Sequence, residues 1–287
     1  MTARIISIPG AIASTTISGQ FSLLSDANRN TFGGTGALSV NTSGTDNTAI
    51  GYNALNLDIS SNNTAFGSRA GQNNASGQSN TFIGSSAGLS NVSGTGNTFI
   101  GFAAGASNNA GGNTFVGIGA GQGNTNGDQN VFIGGLAGFQ NSTGSANTFV
   151  GSQTGFYNVG GNQNVFIGNL AGQNNISGID NTFIGYQAGL VNIANNNAFI
   201  GSAAGDANTV GTRNVAVGKD ALGANQSGSD NTMIGYQAGL VNIADNNTFV
   251  GSGAGVANTT GTRNVAIGLG ALGSNISGNS NVIIGYL

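Results

Sequence analysis

The sequence predicts an all-β chain wound into a parallel β-solenoid of about 16 coils with 16–17 residues per coil. Three observations carry this. A five-residue unit, Asn-Thr/Val-Phe/Ala-Ile/Val-Gly, begins at Asn47 and recurs with its Asn at positions 63, 80, 97, 113, 130, 147, 164, 181, 197, 214, 231, 247, 264 and 281, always in steps of 16 or 17 residues. The apolar triplet inside it is β-prone and is closed by a Gly, which permits a turn that a side chain would obstruct. Helix is disfavoured because the period is too short for two helices and Gly or Asn punctuates every few residues.

Residues 1–29 lack the repeat but hold apolar pieces, Ile5-Ile6-Ser7-Ile8 and Phe21-Ser22-Leu23-Leu24. A solenoid needs its open end covered against edge pairing, so this segment reads as an N-terminal cap or as an attachment piece to a larger assembly. Residues 30–287 form the repeat domain, opened by a degenerate copy at Asn30-Thr31-Phe32. In full the unit runs N-T-F-I-G-x-x-A-G-x-x-N-x-x-G-x-x, with position 1 at the Asn. Two short strands per coil are expected, near positions 1 and 8, stacked in parallel at about 4.8 Å. Residues 181–230 and 231–280 repeat as blocks of three coils, as growth of a linear array by whole coils allows.

Position 3 is Phe in nine copies, Phe82, Phe99, Phe115, Phe132, Phe149, Phe166, Phe183, Phe199 and Phe249, and position 9 is then Gly. Where position 3 shrinks to Ala, at Ala49, Ala216 and Ala266, position 9 becomes Leu55, Leu222 or Leu272. Close-packed interiors tolerate swaps that keep volume, so the two positions are expected to share one space in the core. The coil with Ala65 and Gly71 has its Phe one place later, at Phe66, and is expected to keep the same total volume.

Strand neighbours point to opposite faces, so position 3 faces one way and positions 2 and 4 the other. Both faces are largely apolar. A single thin rod would expose one of them over roughly 75 Å, a patch that monomers avoid, so a homo-oligomer is expected, with a parallel homotrimer the choice for a fibrous head. Asn recurs at position 1 (Asn80, Asn97, Asn113, Asn130, Asn147, Asn164, Asn181) and at position 12 (among them Asn91, Asn108, Asn124 and Asn141), where stacked amides form ladders along the rod.

Composition removes most chemistry. The chain has no His, no Cys and no Trp, and only Arg4, Arg29, Arg69, Arg213, Lys219 and Arg263 as cations, for a net charge of −3. Triads, thiol nucleophiles and N/S zinc sites are therefore out of reach, and no basic stripe exists to neutralise phosphates. The expectation is a non-enzymatic protein with no cofactor, no metal and no nucleic-acid partner. No window is long and apolar enough for a transmembrane helix, so no membrane insertion is expected, and no signal peptide is recognised in the first residues.

The stretches Asn47-Thr-Ala-Ile-Gly-Tyr-Asn-Ala and Asn214-Val-Ala-Val-Gly-Lys-Asp-Ala resemble the head repeat of trimeric autotransporter adhesins of the YadA type, and are similar to repeats in phage and viral tail-fibre proteins. The resemblance covers about 90% of the chain. It implies a left-handed β-roll, three parallel chains along a fibre, and adhesion as the activity. The period here is longer than is usual in those heads, which points to an enlarged turn around positions 12 and 15. No heptad stalk or membrane barrel follows, so the expectation is a fibre, spike or filament subunit on a virion or extracellular surface.

Tyr52, Tyr186, Tyr236 and Tyr286, all at position 6, are candidate glycan contacts, the competing reading being a Tyr that covers the turn with its hydroxyl in water. Asp residues in the turns lack the regular series of a calcium roll and read as solvated or turn-capping groups. A Thr row at position 2 is interrupted by Val131 and Val165, which weighs against an ice-binding array. Two functions stay open: a trimeric attachment fibre contacting a host-surface glycan or receptor, or a scaffold subunit polymerising end to end through its open terminal coils. An Asp-based glycosidase needs two carboxyls within about 5–10 Å, and no Asp pair recurs.

Overall fold

The computed structural model describes residues 23–286. It is a parallel β-solenoid of about 15 turns of about 17 residues, with no helix among the described residues. The two-residue strand β1 (Leu24–Ser25) pairs antiparallel with β2 (Thr31–Gly33). Strand β3 (Thr48–Ile50) follows β2 in parallel, and each later coil adds one three-residue strand up to β17 (Val282–Ile284). Register never slips: Phe115 lies on Phe132 and Phe132 on Phe149, each at position 3. Ile5–Ile8 and Phe21 of the expected cap fall outside the described residues; within them, β1 covers the N-terminal edge of the sheet.

Each coil holds one strand, not the expected two. Around position 8 the coils still exchange backbone hydrogen bonds, as from the Gly88 N–H to the Ala104 carbonyl at 2.9 Å and from Ser90 to Ala106 at 2.9 Å. The chain there is not extended, because positions 7 and 9 take positive φ, 59° at Ser86 and 60° at Gly88. Two left-handed residues with one between them coil the backbone tightly and prevent a strand run.

The interior is a column of aromatic rings. The nine position-3 Phe side chains, with Leu55 and Leu222, are fully buried. From Phe99 to Phe199 successive rings stack at 4.7–5.1 Å with interplanar angles of 4–9°. A Cβ placed on Gly138 would enter the Phe132 ring of its own coil, which is the shared space seen in the sequence. Met233 joins this column at position 3, a core residue that a search for Phe passes over. Leu272 is half-buried, since it packs on the core with only β17 beyond it.

One expectation is overturned at Phe66. Its side chain occupies position 4 and faces outward, 56% exposed, so it does not refill the space of Ala65 and Gly71. Leu55 from the preceding coil and Phe82 from the following one lean into that space instead, as the crowding around Gly71 records. Phe82 loses a stacking partner on that side and tilts by 37° against Phe99, at 5.6 Å.

The Phe132→Ala variant is expected to lose about 3–5 kcal/mol, read as a lower thermal midpoint. Adding Gly138→Leu should return part of it, reduced by about 1–2 kcal/mol because position 9 is left-handed at +57°. A double variant no more stable than the single one would refute the shared space.

Candidate interaction surfaces

The Asn rows belong to the interior. Asn80, Asn97, Asn113, Asn130, Asn147, Asn164 and Asn181 are all buried. The two Asn positions do different work. At position 1 the side-chain oxygen accepts the backbone N–H of the next Asn in the row, as Asn80 Oδ1 does from Asn97 at 2.9 Å. Its Nδ2 crosses the coil to the carbonyl near position 15, as from Asn80 to Gly94 at 2.9 Å. The amide-to-amide ladder lies at position 12: Asn141 Nδ2 donates to Asn124 Oδ1 and Asn158 Nδ2 to Asn141 Oδ1, both at 2.7 Å, and each also reaches a carbonyl of its own turn. Buried amides satisfied in this way hold the corners of the coil where no water reaches.

The outer face of the sheet is made by positions 2 and 4. Position 2 is Thr or Val, with Ala198 as the exception, and position 4 is Ile or Val in every coil but those of Gly33 and Phe66. Ile83, Ile100, Ile133, Ile167, Ile200, Ile234 and Ile267 are each 37–40% exposed. No charged residue occupies either column over the sixteen strands from β2 to β17. Strand spacing and side-chain reach make this a strip roughly 10 Å wide and 75 Å long.

Tyr52, Tyr186, Tyr236 and Tyr286 are exposed, but they do not make a continuous row. Tyr186 and Tyr236 stand three coils apart, roughly 14 Å, with Ser202 and Lys219 between them at the same position. The aromatic cluster of the surface lies elsewhere. Phe139 and Phe156, at position 10 of successive coils, stack at 5.0 Å, and Tyr157 meets Phe156 edge-on at 4.6 Å. Tyr157, Gln140, Val159, Asn174 and Ile176 line an open groove of about 480 Å³ beside it. No hydrogen bond engages the Tyr157 hydroxyl or the Gln140 and Asn174 amides, and residues 129–179 contain no charged side chain. This site was not singled out from the sequence. Its signal is two consecutive aromatics at a position otherwise held by small, polar or aliphatic residues.

Charges sit on the rim. Arg29 grips Asp46 and Arg213 grips Asp230, both with 2.6 Å contacts between exposed side chains, and these bonds hold both carboxyls below the usual range. Partial burial, helped by the nearby Asp220 carboxylate, raises Asp206. Among the described residues no three acidic groups come together to hold a metal ion. No helix among them is long and apolar enough to cross a membrane. No known protein family, curated protein or solved structure matches the chain.

The Asn141→Ala variant removes one rung of the position-12 ladder and strips partners from Asn124 and Asn158. A loss of about 2–3 kcal/mol is expected in thermal or denaturant unfolding, against almost none for Thr143→Ala, whose exposed side chain makes no hydrogen bond.

Proposed function

We propose that this chain is a non-enzymatic attachment fibre or spike subunit, three parallel copies of which pack their sheet faces around a common axis on a virion or extracellular surface. The observation that carries this reading is the uncharged strip of positions 2 and 4, an apolar column at position 4 beside a column of Thr and Val at position 2. Its area, roughly 750 Å² per chain, is divided between two neighbours around the axis, so each pairwise contact is smaller than the roughly 800 Å² per partner of a standard interface and the three contacts stabilise one another. Parallel packing sets like coil against like coil, so the 4.8 Å repeat matches along the whole contact. The number three comes from the resemblance to trimeric adhesin heads and tail fibres.

With the sheet faces packed together, the groove beside Tyr157, lined from positions 11 and 13 and not from the strands, stays outside the contact. A braced aromatic ring beside two free carboxamides, with no charge nearby, suits a neutral surface saccharide: the ring covers the apolar face of a pyranose and the amides bond its hydroxyls. End-to-end polymerisation is the weaker reading, because an incoming coil would have to displace β1 from the edge of β2.

Light scattering should give a native mass near three chains, with short uniform rods in negative stain. Ile133→Glu combined with Ile167→Glu should shift the mass to one chain; a wild-type monomer would defeat the packing proposal, and open-ended filaments would favour end-to-end assembly. On an array of neutral glycans, Tyr157→Ala should weaken binding at least tenfold while Tyr186→Ala leaves it unchanged. The reverse pattern would move the contact to position 6.

A further inference from the structure

The repeats serve as the chain's own alignment, and one coil departs from it in two places at once. Four coils are 16 residues long, those beginning at Asn47, Asn97, Asn181 and Asn231. Three of them carry Asn-x-Ala at position 12 and two residues on: Asn108 with Ala110, Asn192 with Ala194, Asn242 with Ala244. In each, the Asn Nδ2 donates to the carbonyl of that Ala and the Asn Oδ1 accepts two amides from the following coil. The fourth coil carries Asp58 with Ser60. Both are buried, Asp58 completely.

The hydrogens around Ser60 can be counted. Its Oγ lies 2.5 Å from Asp58 Oδ1 and 2.6 Å from the Gly77 carbonyl oxygen. A hydroxyl has one hydrogen and a carbonyl none. If Asp58 were a carboxylate, one of these two oxygen–oxygen contacts would have no hydrogen in it and would be repulsive. A second hydrogen, on Asp58, fills both contacts. Asp58 Oδ1–H donates to Ser60 Oγ, and Ser60 Oγ–H donates to Gly77 O. The remaining lone pairs of Oδ1 face the Ser60 backbone N–H at 3.1 Å and Asn74 Nδ2 at 2.9 Å, while Asn63 Nδ2 donates to Ser60 Oγ at 2.9 Å.

No counter-charge is at hand. The groups around Asp58 are Ser60 and Asn63, Asn74 and Gly77 of the following coil, and Asn41 at position 12 of the preceding coil; none is charged. Arg29 and Asp46, on the rim, are bound to each other. An ionised Asp58 would be a fully buried charge with hydrogen-bond donors but no counter-charge, which is unfavourable, and desolvation drives its pKa up against the bonds from Ser60, Asn63 and Asn74 that favour the carboxylate.

We infer that the folded chain holds a structural proton on Asp58 at neutral pH, as the donor that closes the Asn ladder at its N-terminal end through Ser60 to Gly77. A carboxyl raised on folding stabilises the fold fully below the ordinary carboxyl pKa, and that contribution is lost as pH rises through the raised value. Unfolding between these two limits releases the proton to solvent.

Infrared spectroscopy of the whole protein reads the proton directly, because the chain has nine Asp and no Glu, so few acids absorb. At pH 7 a protonated-carboxyl C=O band should be present in the wild type and diminished by one carboxyl per chain in Asp58→Asn. That variant keeps its coil, since three sister coils carry Asn at the same place. A wild-type spectrum without such a band at pH 7, or a band unchanged in Asp58→Asn, would overturn the inference. As an independent readout, the unfolding constant of the wild type relative to Asp58→Asn should rise with pH by up to tenfold per unit between the ordinary and the raised pKa, then level off. Taking the ratio cancels the rim carboxyls Asp46 and Asp230, and a ratio flat in pH would also refute the structural proton.

Discussion

A coil of 17 residues is so thin that its corners lie inside it, and every backbone group at those corners must find a partner without water. Asn resolves this constraint, and the rest of the rod depends on it. Its carboxamide is short, uncharged, and both donor and acceptor, so one side chain can accept from the next coil and donate across its own. Position 1 does this for the strand corner and position 12 for the opposite turn. With the corners held, the strand need be only three residues long, and the remaining interior is just wide enough for one ring per coil.

Glycine answers the complementary steric problem. At position 5 the backbone of Gly84 faces the carbonyl of Gly101 so closely that a Cβ would enter it, and φ is +132°. The turn can therefore sit directly over its neighbour at strand spacing. Three conditions, amides at the corners, glycine at the turn and one large side chain inside, explain why so monotonous a sequence specifies one register. A slip by a single residue would turn Phe outward and bury Thr and Ile.

Much of this was legible in the chain because the repeat displays its own substitutions. The exchange of Phe and Gly for Ala and Leu revealed a shared space before any coordinates, and the period revealed the stacking. Other features depend on backbone angles or on neighbouring coils and leave no such trace. The stretch near position 8 looks like a second strand until positive φ at Ser86 and Gly88 coils it. Phe66 looks like a displaced core residue, yet a shift of one place along a strand reverses its face, and Leu55 and Phe82 fill the gap from either side. The Phe139, Phe156 and Tyr157 cluster does leave a trace, two successive aromatics at position 10, but it becomes a site only when stacking brings neighbouring coils together.

The one-strand-per-coil architecture also governs how the rod bears load. Strands run across the axis and their hydrogen bonds along it, so tension between the two ends of one chain does not shear a long sheet. It opens one coil at a time from an edge, and each event frees 16 or 17 residues, roughly 55–60 Å of extended chain. With nearly identical coils the steps would have nearly identical force, so a pulled rod pays out at constant tension. A rod built this way limits the force passed between its two ends.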